Sequence, residues 1–446
     1  MLFSSLEFIF FFLPCAVGVY FLLPRAWQNF WLLFSGLIFY AFGEIKFLPL
    51  MALTVLADFC FGAAVSFFLQ REKRSAARTT LVLALVYNIA QLVIFKYLDP
   101  FGLGLPMGIS FYTFQALSYV IDVYKREVRA TKSLVDFGAY VTLFPQLIAG
   151  PIVKYSEVES ELSSRSCTLE DIAAGARRFC AGLAKKVALA NPAGQMWELL
   201  GSDQSFLGAF LAFAFFALQI YFDFSGYSDM AIGLGRILGF RFPENFNYPY
   251  ISKSVSEFWR RWHVTLSSYF REYVYIPLGG NRRCRKRTCL NLLLTWSLTG
   301  LWHGAGVNFL LWGLYFALVL MLEKAFLKKA LARLPSMLSH FYALTLILVG
   351  WVIFASDTGE SLSLLLRFFG VGCESLYSGS AVYHLSRSLL FLAICIVGCT
   401  PLPRILYLKI KERIALVDII LPLGAFLLSL SYIVSSGYDP FLYFRF

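Results

Sequence analysis

The stretch from Phe47 to Leu69 reads FLPLMALTVLADFCFGAAVSFFL, and it decides the fold. A run this apolar, near the roughly 20 residues that one bilayer crossing requires, predicts a membrane-spanning helix. The gap that follows, Arg71 to Arg78, sets Arg71, Lys73, Arg74 and Arg78 against Glu72, a balance that holds a loop on the cytoplasmic side. Working outward, comparable spans are expected at Phe8 to Leu23, Trp27 to Phe42 and Thr79 to Leu98. Counting back from the basic gap puts Arg25 inside, the Glu44 to Lys46 turn outside and the N-terminus outside. The first span carries Glu7 and no basic residue ahead of it, so it lacks the charged start of a cleaved signal peptide and is expected to remain as a helix.

Composition carries this reading through the chain. Of 446 residues 59% are hydrophobic, with 46 Phe and 24 Tyr and only 15% charged, too much apolar surface for one water-facing core. Mean hydropathy is +0.67. Further spans are expected at Phe206 to Phe222, Leu290 to Trp302, Val307 to Leu322, His340 to Phe354, Leu385 to Val397 and Val417 to Val434. No polar stretch is long enough to fold separately, so residues 1–446 read as a single integral membrane domain of an all-α polytopic protein.

The formal charge of +12 sits in short gaps between spans, which points to cytoplasmic loops and away from nucleic acid. Nine cysteines lack paired zinc-ligand spacing and read as buried or loop thiols. There is no internal repeat of fixed period, which argues against a repeat transporter.

Two regions interrupt the pattern. Pro106-Met107-Gly108-Ile109-Ser110-Phe111-Tyr112-Thr113-Phe114 mixes Gly, Pro and polar residues within an apolar context, which predicts a sheltered, re-entrant segment. Between Thr168 and Ala190 the apolar positions Ile172, Ala176, Phe179, Leu183 and Val187 recur at helical spacing, while Arg177, Arg178, Lys185 and Lys186 take other faces. This predicts an amphipathic cytoplasmic helix, started at Thr168 and Asp171.

Only four histidines occur, and two of them stand in Trp-His dipeptides, Trp262-His263 and Trp302-His303. An ionisable ring in apolar surroundings is costly and marks a candidate site. Read as one helix, the Ser254 to Tyr275 stretch puts Trp259, Arg260, His263 and Ser267 on one side, either as a site or as an Arg-rich interfacial helix. His303 lies among small residues at an expected helix boundary, where a neutral imidazole can take a proton from a hydroxyl or simply bond a carbonyl. Asp223, Ser225, Tyr227 and Asp229 are dense for a membrane segment and either line a pocket or cap a helix. Without a His-Glu-x-x-His run, a carboxylate cluster, a Walker motif or a dinucleotide fingerprint, no catalytic metal, ATP or NAD chemistry is expected.

At these residues the chain resembles the membrane-bound O-acyltransferase (MBOAT) family, in its alginate and peptidoglycan O-acetyltransferase branch. The resemblance rests on Gly108 to Gln115, Phe144 to Ile152, Ile220 to Ala231, Phe258 to His263, Tyr275 to Arg282, Gly300 to Gly304 and the terminal Pro440 to Phe444, in order along nearly the whole chain. It implies roughly 10–12 membrane helices in a ring around a thinned centre, with re-entrant and cytoplasmic amphipathic helices.

It also implies that His303 is the family's catalytic histidine and His263 the second active-site histidine. His303 would act as general base, while His263 orients the acyl group or supports its carbonyl oxygen. Arg260, Asn281, Trp302 and Asp223 are candidate substrate-binding residues. The implied donor is acetyl-CoA with no bound cofactor, and the implied acceptor is an extracytoplasmic hydroxyl or a serine-hydrolase-like partner, for O-acetylation of an exported or cell-envelope polysaccharide at the bacterial inner membrane. The competing readings are a D-alanyl transferase for teichoic acids and a non-catalytic polysaccharide exporter or scaffold. The segment from Asp357 to Tyr383 carries no usable resemblance.

Overall fold

The computed structural model describes residues 1–436 except 101, 149, 283, 356 and 357, with side chains left aside at 358–362. The terminal motif Pro440 to Phe444 lies outside the described residues. Every regular element among those described is helical, and the only extended pairing is an isolated bridge between Ser205 and Ser375. Among the described residues seven segments are long and apolar enough to cross a membrane: Arg25–Gln70, Arg74–Leu98, Phe206–Ile237, Val307–Leu331, Ser336–Ala355, Gly379–Gly398 and Val417–Ser435. The first of these holds two helices, Arg25–Glu44 and Leu48–Gln70. Large apolar side chains stay exposed along them, Val434 at 72% and Phe42 at 72% among others, a surface that suits lipid and not water. The protein is an all-α polytopic membrane protein.

The chain divides into two compact units, Met1–Leu183 with Tyr227–Pro243, and Ala184–Gly226 with Glu244–Phe446. In the first, the Pro106 to Phe114 stretch becomes the start of a helix, Ile109–Lys125, that buries most of its residues. Polar side chains within it, Ser110, Thr113, Gln115, Ser118 and Asp122, are buried too, consistent with shelter by protein. Gly108 starts this helix at φ +73°, and a Cβ there would stand 2.6 Å from the Leu147 carbonyl oxygen, so glycine is required.

The expected amphipathic helix is present as Leu169–Ala184, continued by a wide turn at Lys185–Ala190. Its start is held by Thr168 and Asp171: the Thr168 hydroxyl donates to Asp171 Oδ2 at 2.8 Å, and the Asp171 N–H donates back to Thr168 Oγ1 at 3.1 Å. Gly175, and not Ala176, makes the close approach, its Cβ position lying 2.5 Å from the Gly233 carbonyl oxygen. The charges on this helix are partly tied up within the unit. Arg178 pairs with Asp229 at 2.9 Å and Asp171 with Arg236 at 3.1 Å.

In the second unit the helices Arg285–His303 and Val307–Leu322 form a hairpin. Gly300 and Gly313 let them touch: a Cβ on Gly300 would stand 2.3 Å from the Phe309 carbonyl oxygen, and one on Gly313 would stand 2.3 Å from that of Trp296. Small residues of this kind let membrane helices approach backbone to backbone. The first helix of the hairpin ends at His303, so its packing positions that ring. We expect Gly313→Ala to destabilise the protein by about 1–3 kcal/mol through overpacking, read as a lowered unfolding midpoint of the purified protein in detergent.

Candidate active site

His263 is set by backbone pieces that are distant in sequence. Ser254 caps the short helix Val255–Phe258, accepting the Glu257 N–H at 3.0 Å. From the hairpin, the Glu323 carboxylate accepts the Val255 and Ser256 N–H groups at 2.7 and 2.8 Å, a favourable place for negative charge at a helix start. The chain then turns instead of running on as a helix. His263 takes the left-handed conformation at φ +43° and the next helix starts at Val264. The continuous helix expected over Ser254 to Tyr275 is therefore broken, and Trp259, Arg260, His263 and Ser267 do not share one helical face. A non-glycine residue in this region carries strain, and strain of this type concentrates at functional sites.

What holds the break is Asn245. Its carbonyl oxygen accepts the Val264 N–H at 3.0 Å, and its side-chain Oδ1 accepts the Thr265 N–H at 3.3 Å and the Thr265 hydroxyl at 2.9 Å. The same Oδ1 lies 3.0 Å from His263 Nδ1. The imidazole is 2% exposed, and Nε2 meets no hydrogen-bond partner among the described residues. Its walls are Phe224, edge-on at 4.7 Å between ring centroids, Phe246 at 6.5 Å and Trp302 at 6.3 Å. Burial pushes the imidazole well below the ordinary histidine value, which favours the neutral ring at pH 7.

His303 ends the helix Arg285–His303 and is 7% exposed. Gly304 follows in extended conformation, and a Cβ there would stand 2.1 Å from the Phe309 ring, so the turn after the histidine admits only glycine without movement. The His303 ring packs edge-on against Trp302 at 5.0 Å, Trp312 at 5.1 Å and Phe354 at 5.4 Å. Trp302 is thus common to both histidines: two imidazoles 40 positions apart touch one indole inside an aromatic enclosure. Within such walls electrostatic interactions are stronger than in water.

The model of the membrane-bound O-acyltransferase family matches residues 34–356. The chain belongs to that family. Among its relatives, "Probable alginate O-acetylase AlgI" of Azotobacter vinelandii is 41% identical over 80% of this chain and 75% of its own length. "Peptidoglycan O-acetyltransferase" of Helicobacter pylori is 34% identical over 87% of this chain and 82% of its own. "Teichoic acid D-alanyltransferase" of Bacillus subtilis matches at 27% over 48% of this chain and 58% of its own. The protein is a multi-pass membrane acyltransferase.

Of the residues that the sequence singles out in this acyltransferase, Trp302 sits directly against both histidines. Asp223 is 1% exposed and forms an ion pair at 2.7 Å with Lys186, itself 4% exposed. Its neighbour Phe224 makes the contact with His263. Arg260 is exposed. Asn281 is exposed as well, accepting from the Tyr275 hydroxyl at 2.6 Å and from the Lys324 ammonium.

Sequence reasoning passed over Asn245, Glu323 and the pairing of Lys186. For Asn245 the available signal was an amide held between Pro243 and Pro249 in an aromatic run, where such a group needs partners. Lys186 read as one more cation on a solvated face.

Proposed function

We propose that the protein, acting as one acyltransferase domain over residues 1–446, moves an acetyl group from a cytoplasmic thioester, acetyl-CoA, to an extracytoplasmic hydroxyl. The product is an O-acetylated exported or cell-envelope polysaccharide, formed directly or through a serine-hydrolase-like carrier. The contact of both imidazoles with Trp302 carries the reading. The names of the alginate and peptidoglycan relatives favour acetyl over D-alanyl, because those matches span most of the chain and the D-alanyl one about half.

In the proposed reaction His303 takes the proton of the acceptor hydroxyl as its oxygen attacks the thioester carbonyl carbon. The new C–O bond forms, the C–S bond breaks, and the departing thiolate takes the proton back from the imidazolium, so the ring returns neutral. Trp302 keeps the two rings in place, and the aromatic walls exclude water that would otherwise hydrolyse the thioester.

The basic gap at Arg71 to Arg78 supports an orientation with the N-terminus outside and the donor on the inner face of the bacterial inner membrane. Labelled acetyl-CoA added to inverted vesicles should label an acceptor enclosed in the lumen, whereas right-side-out vesicles should stay unlabelled until permeabilised. Labelling of intact right-side-out vesicles would overturn the direction. Label delivered only from a D-alanyl donor would overturn the acyl group.

A further inference from the structure

We infer that Asn245 is a positioning residue that fixes His263 as the Nδ1–H tautomer and makes its Nε2 a hydrogen-bond acceptor toward substrate. The inference rests on the reading of His263 as an active-site residue. The Thr265 N–H, which can only donate, points at Asn245 Oδ1, so that atom is the amide oxygen. An amide oxygen accepts and never donates, so the Nδ1 only 3.0 Å away must carry the proton. In a neutral ring Nε2 then holds a lone pair, and it is this atom that is buried and meets no partner among the described residues. Orphaned buried acceptors are rare, and one facing no protein donor in an aromatic enclosure is suited to a substrate donor.

This tautomer bears on one of the two roles expected for His263, support of charge on the acyl carbonyl oxygen. A neutral imidazole in this tautomer has no proton to offer a carbonyl oxygen, so it does not support the developing charge there. It accepts a hydrogen bond from the hydroxyl-bearing acceptor, holding it while His303 takes the reacting proton. The left-handed backbone at His263 fits this arrangement, since the turn swings Nδ1 onto Asn245 while Asn245 holds the next two N–H groups.

Nitrogen NMR of the full-length protein in lipid, with imidazole nitrogens labelled, reads the tautomer without any activity. There are four histidines, and the His263 signal is identified by its loss in His263→Gln. The expected result is a protonated Nδ1 and a bare Nε2 at neutral pH. A protonated Nε2 on a neutral ring overturns the inference. Asn245→Leu removes the acceptor at similar size and should shift the ring toward the other tautomer, with a loss of about 10²-fold in kcat and little change in donor KM. Asn245→Asp keeps an acceptor and should retain the Nδ1–H signal even if Asn245→Leu fails to accumulate. An unchanged tautomer in Asn245→Leu, or an unchanged kcat beside a shifted one, also overturns it. Failure of the acetyl-transfer reading shows differently: the unaltered protein would then release no labelled acetyl product while the His263 spectrum stayed as expected.

Discussion

His303→Ala is expected to lower acyl transfer by about 10²- to 10⁴-fold, the range that loss of a general base removes, while the protein still reaches the membrane in normal amount. The ring is 7% exposed and closes a helix whose next residue is a constrained glycine, so its position is set by packing and survives truncation of the imidazole. The truncation leaves space beside Trp302, Trp312 and Phe354. His303→Gln keeps the volume and the polarity yet cannot take a proton at neutral pH, so it should be as inactive as alanine. Release of labelled product per mole of membrane-inserted protein measures both. A glutamine variant with near-normal turnover would mean that the ring only packs and that another group takes the proton.

What the sequence made legible and what it concealed follow from the range of the interactions involved. Apolar length is a local property, so the spans at Val307 to Leu322 and Val417 to Val434 match helices Val307–Leu322 and Val417–Ser436 almost residue for residue. The span expected to end at Phe222 instead continues to Ile237. Its polar residues do not end the helix because partners from elsewhere in the chain receive them, Lys186 for Asp223 and Arg178 for Asp229. Conversely, the helical spacing in Ser254 to Tyr275 suggested continuity, yet the backbone turns over at His263. Asn245, which fixes that turn, and Glu323, which holds the helix start before it, stand 18 and 68 positions away from what they hold. Periodicity cannot register a contact of that span. The histidines themselves were legible because an imidazole is conspicuous in apolar sequence, and so was Trp302, which precedes one of them and touches both. Arg260 and Asn281 were candidates because they lie in runs that carry the family resemblance, and the structure places both on exposed surface.

Lys186→Met should destabilise the protein by about 3–5 kcal/mol, the cost of breaking one partner out of a buried ion pair. Lys186 and Asp223 are 4% and 1% exposed and 2.7 Å apart, so the carboxylate left behind keeps most of its desolvation cost and loses its cation. The double variant Lys186→Met with Asp223→Leu removes both charges and should recover most of the loss, because an apolar pair of similar volume needs no solvation. Unfolding midpoints in detergent for the two single variants and the double measure the coupling. The same set decides what Asp223 is for. Phe224, the next residue, walls His263 at 4.7 Å, so a loosened helix also disturbs the imidazole and lowers turnover in the single variants whichever role Asp223 has. If the pair serves only to hold this helix, the double variant regains turnover along with stability. If Asp223 binds substrate, stability returns and turnover does not, since no apolar side chain replaces a carboxylate at a polar ligand. The buried pairing favours the first outcome, in which the charges are one helix's anchor and the aromatic face beside them is the part that meets the chemistry.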